Sequence, residues 1–177
     1  MSDEQFLRSC LDGDVEEYRQ IVNKYRTKAM AMAMNILRNR EDAEDASQEA
    51  FIQAYQNLKK FDFGKSFSNW FYSILYKRCL DRLRKRKRFN AYFQKMKKEP
   101  SQLYSTPPSN PSSGLLHRKK LLESLNPNER ISLFLWANEG YTSEEMACVL
   151  RCSPSTARVH LFKARKKIKV LLESEDA

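Results

Sequence analysis

Glycine is scarce, with only 4 in 177 residues, and runs of β-branched residues are nearly absent. Strands and their tight turns therefore have little to be built from, and no glycine-rich phosphate loop is present. Histidine is rarer still, at 2 (His117 and His160), and no Ser/His/Asp grouping accompanies either, so no enzyme is expected. The 4 cysteines, Cys10, Cys79, Cys148 and Cys152, are scattered with no CxxC pair and read as reduced thiols rather than a disulfide framework. Cys148, Cys152 and His160 lack a fourth ligand, so no metal or cofactor is expected. Cys148, among apolar neighbours, reads as a small buried hydrophobe. No apolar run approaches the roughly 20 residues a bilayer span requires, which argues against membrane insertion. The acidic start, Met1-Ser2-Asp3-Glu4, lacks the basic-then-apolar order of a signal peptide, so a cytoplasmic chain is expected.

What is present is charge, placed unevenly. The net charge is +10. Residues 1–60 carry 9 basic and 11 acidic groups, whereas residues 61–98 carry 12 basic and 2 acidic. A central block holding the whole net excess points to a polyanionic partner.

Apolar residues recur at three- and four-residue steps, which predicts an all-α chain. A first helix is expected from about Glu4 to Leu11, resuming after Asp12-Gly13-Asp14 through Tyr25, and a second from about Lys28 through Leu37. A third is expected from Ala43 to Leu58, and a fourth from about Ser68 to at least Lys87. Residues 99–114 hold four of the six prolines, which cannot continue a helix. The expected organisation is two small helical domains, residues 1–95 and 116–177, joined by a Pro/Ser-rich linker at 96–115. Such a linker predicts domains that move relative to each other.

The C-terminal domain reads as a helix-turn-helix. Asn126-Pro127 caps a helix carrying Ile131, Phe134 and Leu135. Thr142 and Glu145 form a capping box for a short second helix, Arg151-Cys152 make a sharp corner, and Ser153-Pro154 open a long basic helix. The corner usually favours glycine where this chain has Arg151. A second helix of this kind enters a DNA major groove, with Ser155, Thr156, Arg158 and His160 near base edges and Lys163, Arg165 and Lys166 nearer phosphates. The alternative is a solvated basic helix.

Two opposed charges mark the N-terminal domain. Glu41-Asp42-Ala43-Glu44-Asp45 is dense in acid at a helix start, where the dipole alone favours carboxylates. Asp45, Gln48 and Glu49 extend that face beside Phe51 and Tyr55, as a docking surface for a basic partner would. Further on, Phe67, Trp70, Phe71, Tyr72 and Tyr76 precede a run in which seven of the eleven residues from Arg78 to Arg88 are cationic. Rings beside a basic track suit single-stranded nucleic acid, although this spacing is also what a core requires, and Phe67, Phe71 and Ile74 read as core before base-stacking residues.

Together these segments resemble the extracytoplasmic-function sigma factors, the smallest members of the sigma-70 class. Asp42-Ala43-Glu44-Asp45-Ala46-Ser47-Gln48-Glu49-Ala50-Phe51 resembles the segment that binds the polymerase clamp. Phe67-Ser68-Asn69-Trp70-Phe71-Tyr72-Ser73-Ile74 resembles the family's Phe-x-x-Trp-Leu-x-x-Ile segment, and Ser153 to Arg165 resembles its minus-35 recognition helix. The resemblance implies a sigma-2 and a sigma-4 domain, and an RNA polymerase subunit that binds and melts promoters. Its implied partners are core polymerase (beta-prime clamp and beta flap), promoter DNA that is duplex at minus-35 and single-stranded at minus-10, and an anti-sigma factor.

By that likeness Asp42, Glu44, Asp45, Gln48, Glu49 and Phe51 bind the polymerase. The loop with Asp62, Lys65, Ser66, Asn69 and Trp70 receives an unpaired minus-10 base, with Asn69 and Ser66 as readers. Lys77, Arg78, Arg82, Arg84 and Lys85 hold phosphates there. Ser153, Ser155, Thr156, Arg158, His160, Lys163, Arg165 and Lys166 hold the minus-35 element. Two departures bear on promoter sequence: Tyr76-Lys77-Arg78 stands where the family commonly has an asparagine, and Arg151 replaces the turn glycine. The competing reading is a stand-alone helix-turn-helix regulator, which leaves the basic aromatic helix and the acidic face unexplained.

Overall fold

The computed structural model describes residues 2–96 and 123–173, and among these no strand occurs. The expected linker, apart from Met96, lies outside the described residues. Helix α1 (Asp3–Leu11) starts at Ser2, which forms a capping box with Gln5. A 3-10 turn at Val15–Glu17 leads into α2 (Tyr18–Leu37), followed by α3 (Arg40–Gln56), a 3-10 turn at Leu58–Lys60 and the long α4 (Phe67–Met96). The second unit comprises α5 (Pro127–Glu139), α6 (Ser143–Leu150) and α7 (Pro154–Glu173). None of these helices is both long and apolar enough to cross a membrane.

Two expected boundaries change. Residues 18–37 form one helix rather than two segments split near Thr27. The polar triplet Arg26-Thr27-Lys28 is an outward face, between buried Tyr25 and buried Ala29. Arg38 ends α2 in the left-handed region (φ 56°), and the Asn39 side chain accepts from the Asp42 amide at 2.8 Å to start α3 at Arg40.

Alanines let α2 and α3 approach closely: Ala29, Ala33, Ala43, Ala46, Ala50 and Ala54 have no exposed surface. Aromatic rings fill the wider space toward α4. Phe71 stacks on Phe51 with centroids 4.5 Å apart, and Tyr25 meets the edge of Phe67 at 5.5 Å. In the second unit Ile131, Leu135, Met146, Val149 and Ala157 form the core.

The two units pack on each other, α5 against α2 and α6 against α4. Buried Arg130 donates to the Leu125 carbonyl at 2.9 Å and across to the Ile36 carbonyl at 3.1 Å. Tyr76 donates to Asn128 at 2.6 Å, Tyr141 to Ser68 at 3.1 Å, and Lys28 pairs with Glu139 at 2.7 Å. The linker gives an expectation of moving domains, and the described residues show the two units packed together. A proline-rich linker reports on the backbone between two units and not on the complementarity of the faces they present.

Candidate nucleic-acid and polymerase interfaces

Asp42, Asp45 and Glu49 follow one another at three- and four-residue steps, so they share one face of α3. Opposite stands Arg82 of α4, whose guanidinium lies 3.5 Å from Asp42, 3.2 Å from Asp45 and 2.6 Å from Glu49. One turn earlier, Arg78 donates to Gln53 at 2.8 Å. Glu44, Asp45, Gln48 and Glu49 remain exposed, and so do Ile52 and Tyr55 beside them. The ridge is thus an acidic strip with an apolar border. Ile52 was missed by the sequence reading, although its spacing from Gln48 and Tyr55 is helical.

The loop before α4 is held by local polar contacts. Asp62 accepts from the Gly64 amide at 3.0 Å, and that bond, with Lys65 nearby, holds its carboxyl below the usual range. Ser66 caps α4 through the Asn69 amide at 3.4 Å and shares a hydrogen bond with Ser68 at 2.8 Å. The Asn69 side-chain oxygen is buried and has no hydrogen-bond partner among the described residues. A cleft of 280 Å³ opens here, walled by Phe61, Phe63, Lys65, Ser66 and, unexpectedly, by Ser2 and Asp3. Asp3 accepts from Lys24 and from the Tyr25 hydroxyl, both at 2.6 Å, which ties α1 to this wall. That participation depends on a contact across more than twenty residues, so no local motif signals it.

In the second unit, Thr142 and Glu145 form the expected capping box. Arg151 itself adopts the left-handed conformation (φ 53°, ψ 48°) that glycine takes more readily, at a cost of about 1–2 kcal/mol. Ser153 accepts from the Thr156 amide at 3.2 Å and opens α7. Ser155, Thr156, Arg158, Lys163, Arg165 and Lys166 are exposed along one side, whereas Ala157 and Ala164 anchor the other. Lys167 reaches back to buried Glu129 at 2.7 Å and sets the rotation of α7 on α5.

Comparison with known proteins fits this arrangement. The Sigma-70 region 2 family matches residues 21–89, and the Sigma-70 region 4 family matches residues 119–168, together about two thirds of the chain. The chain belongs to the sigma-70 family of RNA polymerase sigma factors, in its extracytoplasmic-function group. The extracytoplasmic-function sigma factor SigW of Bacillus subtilis is 41% identical over 81 residues, a match spanning 46% of this chain and 43% of SigW. The sigma-H factor of Pseudomonas aeruginosa is 25% identical over 182 residues, covering 97% of this chain and 94% of that one. The fold is shared with RpoE of Bartonella quintana in its complex with the anti-sigma factor NepR. That match has a TM-score of 0.72 and 23% identity, over 89% of this chain and 98% of RpoE. CnrH, in complex with the cytosolic domain of CnrY, has a TM-score of 0.70 and 20% identity over 97% of each chain.

Within this sigma factor several residues expected at contact surfaces have partners inside the protein. Phe51 is a core residue stacked on Phe71 and supports the ridge from below. Arg82 and Arg78 lie in the seam between α3 and α4, where their nearest partners are side chains of α3. His160 is half-buried, with Nε2 3.5 Å from Asn128, and so faces α5 rather than outward. Cys148, expected buried, is exposed on the outer side of α6.

Burial by itself raises the Glu129 carboxyl, but the Lys167 ammonium and the Asn126 amide overcome it and leave the group below its ordinary 4.5. Burial lowers His160 below its ordinary 6.5; Lys163 adds to this and Glu129 opposes it. Both groups therefore bind protons less readily when folded. Their stabilisation is complete above the unfolded values and is lost as pH falls through the folded ones. The urea midpoint is expected to decline on acidification below about pH 6.5 and further below about pH 4.5, with Glu129→Gln removing the second step. A midpoint that rises between pH 6.5 and 5 would contradict the assignment.

Proposed function

We propose that this sigma factor docks on core polymerase through the α3 ridge and reads two promoter elements with its two units. The carrying observation is the pairing, in one chain, of an outward-facing recognition helix with a second unit bearing a loop-side cleft and an acidic ridge. A stand-alone regulator has no use for the latter. Glu44, Asp45, Gln48 and Glu49 offer the clamp a charged strip held in register by Arg82, with Ile52 and Tyr55 adding apolar contact. The groove of 330 Å³ between α5 and α7, with an apolar floor of Leu133, Trp136, Ile168 and Leu172 and a charged border of Arg165, Lys169 and Glu173, suits the beta flap.

At the minus-10 element the cleft walled by Ser66 receives one unpaired base, with Ser66 and the neighbouring Asn69 as its readers. Lys77, Arg84 and Lys85, exposed on α4, hold phosphates there. Ser155, Thr156 and Arg158 meet minus-35 base edges, while Ser153, Lys163, Arg165 and Lys166 hold the backbone. The chain works as a positioning subunit without catalysis of its own, in the cytoplasm with the polymerase. As with RpoE and NepR, an anti-sigma factor is its inhibitory partner.

Elements about 16–18 base pairs apart are separated by about 55–60 Å along duplex DNA. The two units, packed here through contacts such as Tyr141 with Ser68 at 3.1 Å, part on promoter engagement in this proposal. The test is reconstitution with bacterial core polymerase on a random promoter library. Enriched promoters are expected to share two elements at that spacing. Arg158→Ala should weaken discrimination at one minus-35 position by about 1–3 kcal/mol and leave minus-10 selection intact. Duplex binding by the chain alone, without core association or melting, would overturn the proposal.

A further inference from the structure

The rings that the sequence places beside the basic track are mostly core: Phe67, Phe71, Tyr72 and Tyr76 are all buried. The exposed rings of α4 lie further on. Beyond Leu83 the helix leaves the body of the protein, and every residue from Arg84 to Phe93 is exposed. Phe89 and Tyr92 are each 60% exposed and Phe93 is 46% exposed. Phe89 and Phe93 pack together at 4.6 Å, with Tyr92 at 6.5 Å from Phe93. These three form one projecting aromatic cluster. The region 2 match ends at residue 89, so Tyr92 and Phe93 lie beyond it.

This projection is poorly supported by its own contacts. Short helices without packing are marginal in water, and Arg84-Lys85-Arg86-Lys87-Arg88 sets like charges at three- and four-residue spacing, which is destabilising. Within the run only Arg84 has a carboxylate partner among the described residues, Asp81 at 3.1 Å. A ligand that relieves both defects must be polyanionic and must offer flat apolar faces. An unpaired DNA strand has both properties; a duplex keeps its base faces covered, and an apolar protein surface leaves the cations unanswered.

We infer that the projecting end of α4 is a single-strand-binding platform. Phe89, Tyr92 and Phe93 stack on unpaired bases, and Lys85, Arg86, Lys87 and Arg88 track the phosphates. The site extends the minus-10 reading of α4 and rests on it for its place in promoter opening. Its function is to hold the melted strand after the loop-side cleft has taken its base.

The test uses the full chain and fluorescently labelled oligonucleotides, single-stranded and duplex, of one sequence. Replacing all three rings (Phe89→Ala, Tyr92→Ala, Phe93→Ala) is expected to weaken single-strand binding by about tenfold or more. Duplex affinity and the unfolding midpoint should stay unchanged. The ring-preserving pair Phe89→Tyr and Tyr92→Phe should retain binding, and Lys85→Ala with Lys87→Ala should flatten the salt dependence by about 1.4–1.8 in slope. Undiminished single-strand affinity in the triple variant, or equal loss for duplex and single strand, overturns the platform. Increased single-strand affinity in the triple variant also overturns it, by showing that the rings cover a segment of this chain. Core association of the wild type, measured in parallel, separates the two readings. Its absence would count against the sigma mechanism, whereas its presence with an unaffected triple variant would count against the platform alone.

Discussion

Replacing Phe71 by alanine is expected to lower the unfolding free energy by about 3–5 kcal/mol, a large share of the total for a chain of this size. Phe71 has no exposed surface and lies at the meeting point of α2, α3 and α4. Its ring stacks on Phe51 at 4.5 Å, runs nearly parallel to Phe67 at 6.0 Å and is tilted against Tyr25 at 5.8 Å. Truncation removes the transferred apolar surface and leaves a cavity that rigid aromatic neighbours close poorly. Urea unfolding should show a lowered midpoint at unchanged slope. Half-exposed Trp70, one position away, should cost less when truncated. If Phe71→Ala left stability within about 1 kcal/mol but abolished single-strand binding, Phe71 would be a stacking residue and the packing account would be wrong.

Replacing Arg130 by alanine is the second large effect, expected at about 2–4 kcal/mol. Its guanidinium is almost fully buried and donates at 2.9 Å to the Leu125 carbonyl and at 3.1 Å to the Ile36 carbonyl. Burial, with Arg38 adding repulsion, lowers its proton affinity, yet a guanidinium stays charged at any working pH. Removing it strands two carbonyls in the interface, and one of them belongs to the other unit. The variant should therefore lose compactness as well as stability. Small-angle scattering should give a larger radius of gyration than for the wild type, with core binding retained because the α3 ridge is elsewhere. An unchanged radius and midpoint would mean that the apolar faces of α5 and α6 hold the units together without this contact.

Much of the molecule was legible in local sequence because the physics involved is local. Thr142 with Glu145 and Ser153 before Pro154 start their helices where the capping rules place them, since a cap satisfies amides within three residues. The acid-rich start of α3 and the cationic stretch of α4 needed only counting. Less legible were features that depend on two sides of one helix. The rings at 67–76 fit either a stacking surface or a core by their spacing. Period alone does not say how many neighbours a helix has, and α4 turned out to be enclosed as far as Leu83. Arg82 reads locally as a phosphate contact, and nothing near it in sequence shows that Glu49, 33 residues earlier, stands 2.6 Å away.

Composition and periodicity by themselves determined an all-helical chain, a helix-turn-helix near its end, and opposed acidic and basic surfaces near its start. These follow from backbone preference and from charge, which act over a few residues. Only the tertiary structure decided that His160 turns inward and Cys148 outward, that the exposed rings of α4 sit at its projecting end, and that the two units close on each other. The last rests on Arg130 reaching the carbonyl of Ile36 across 94 residues. Such a bond depends on the shapes of two assembled surfaces, and no window of sequence contains both.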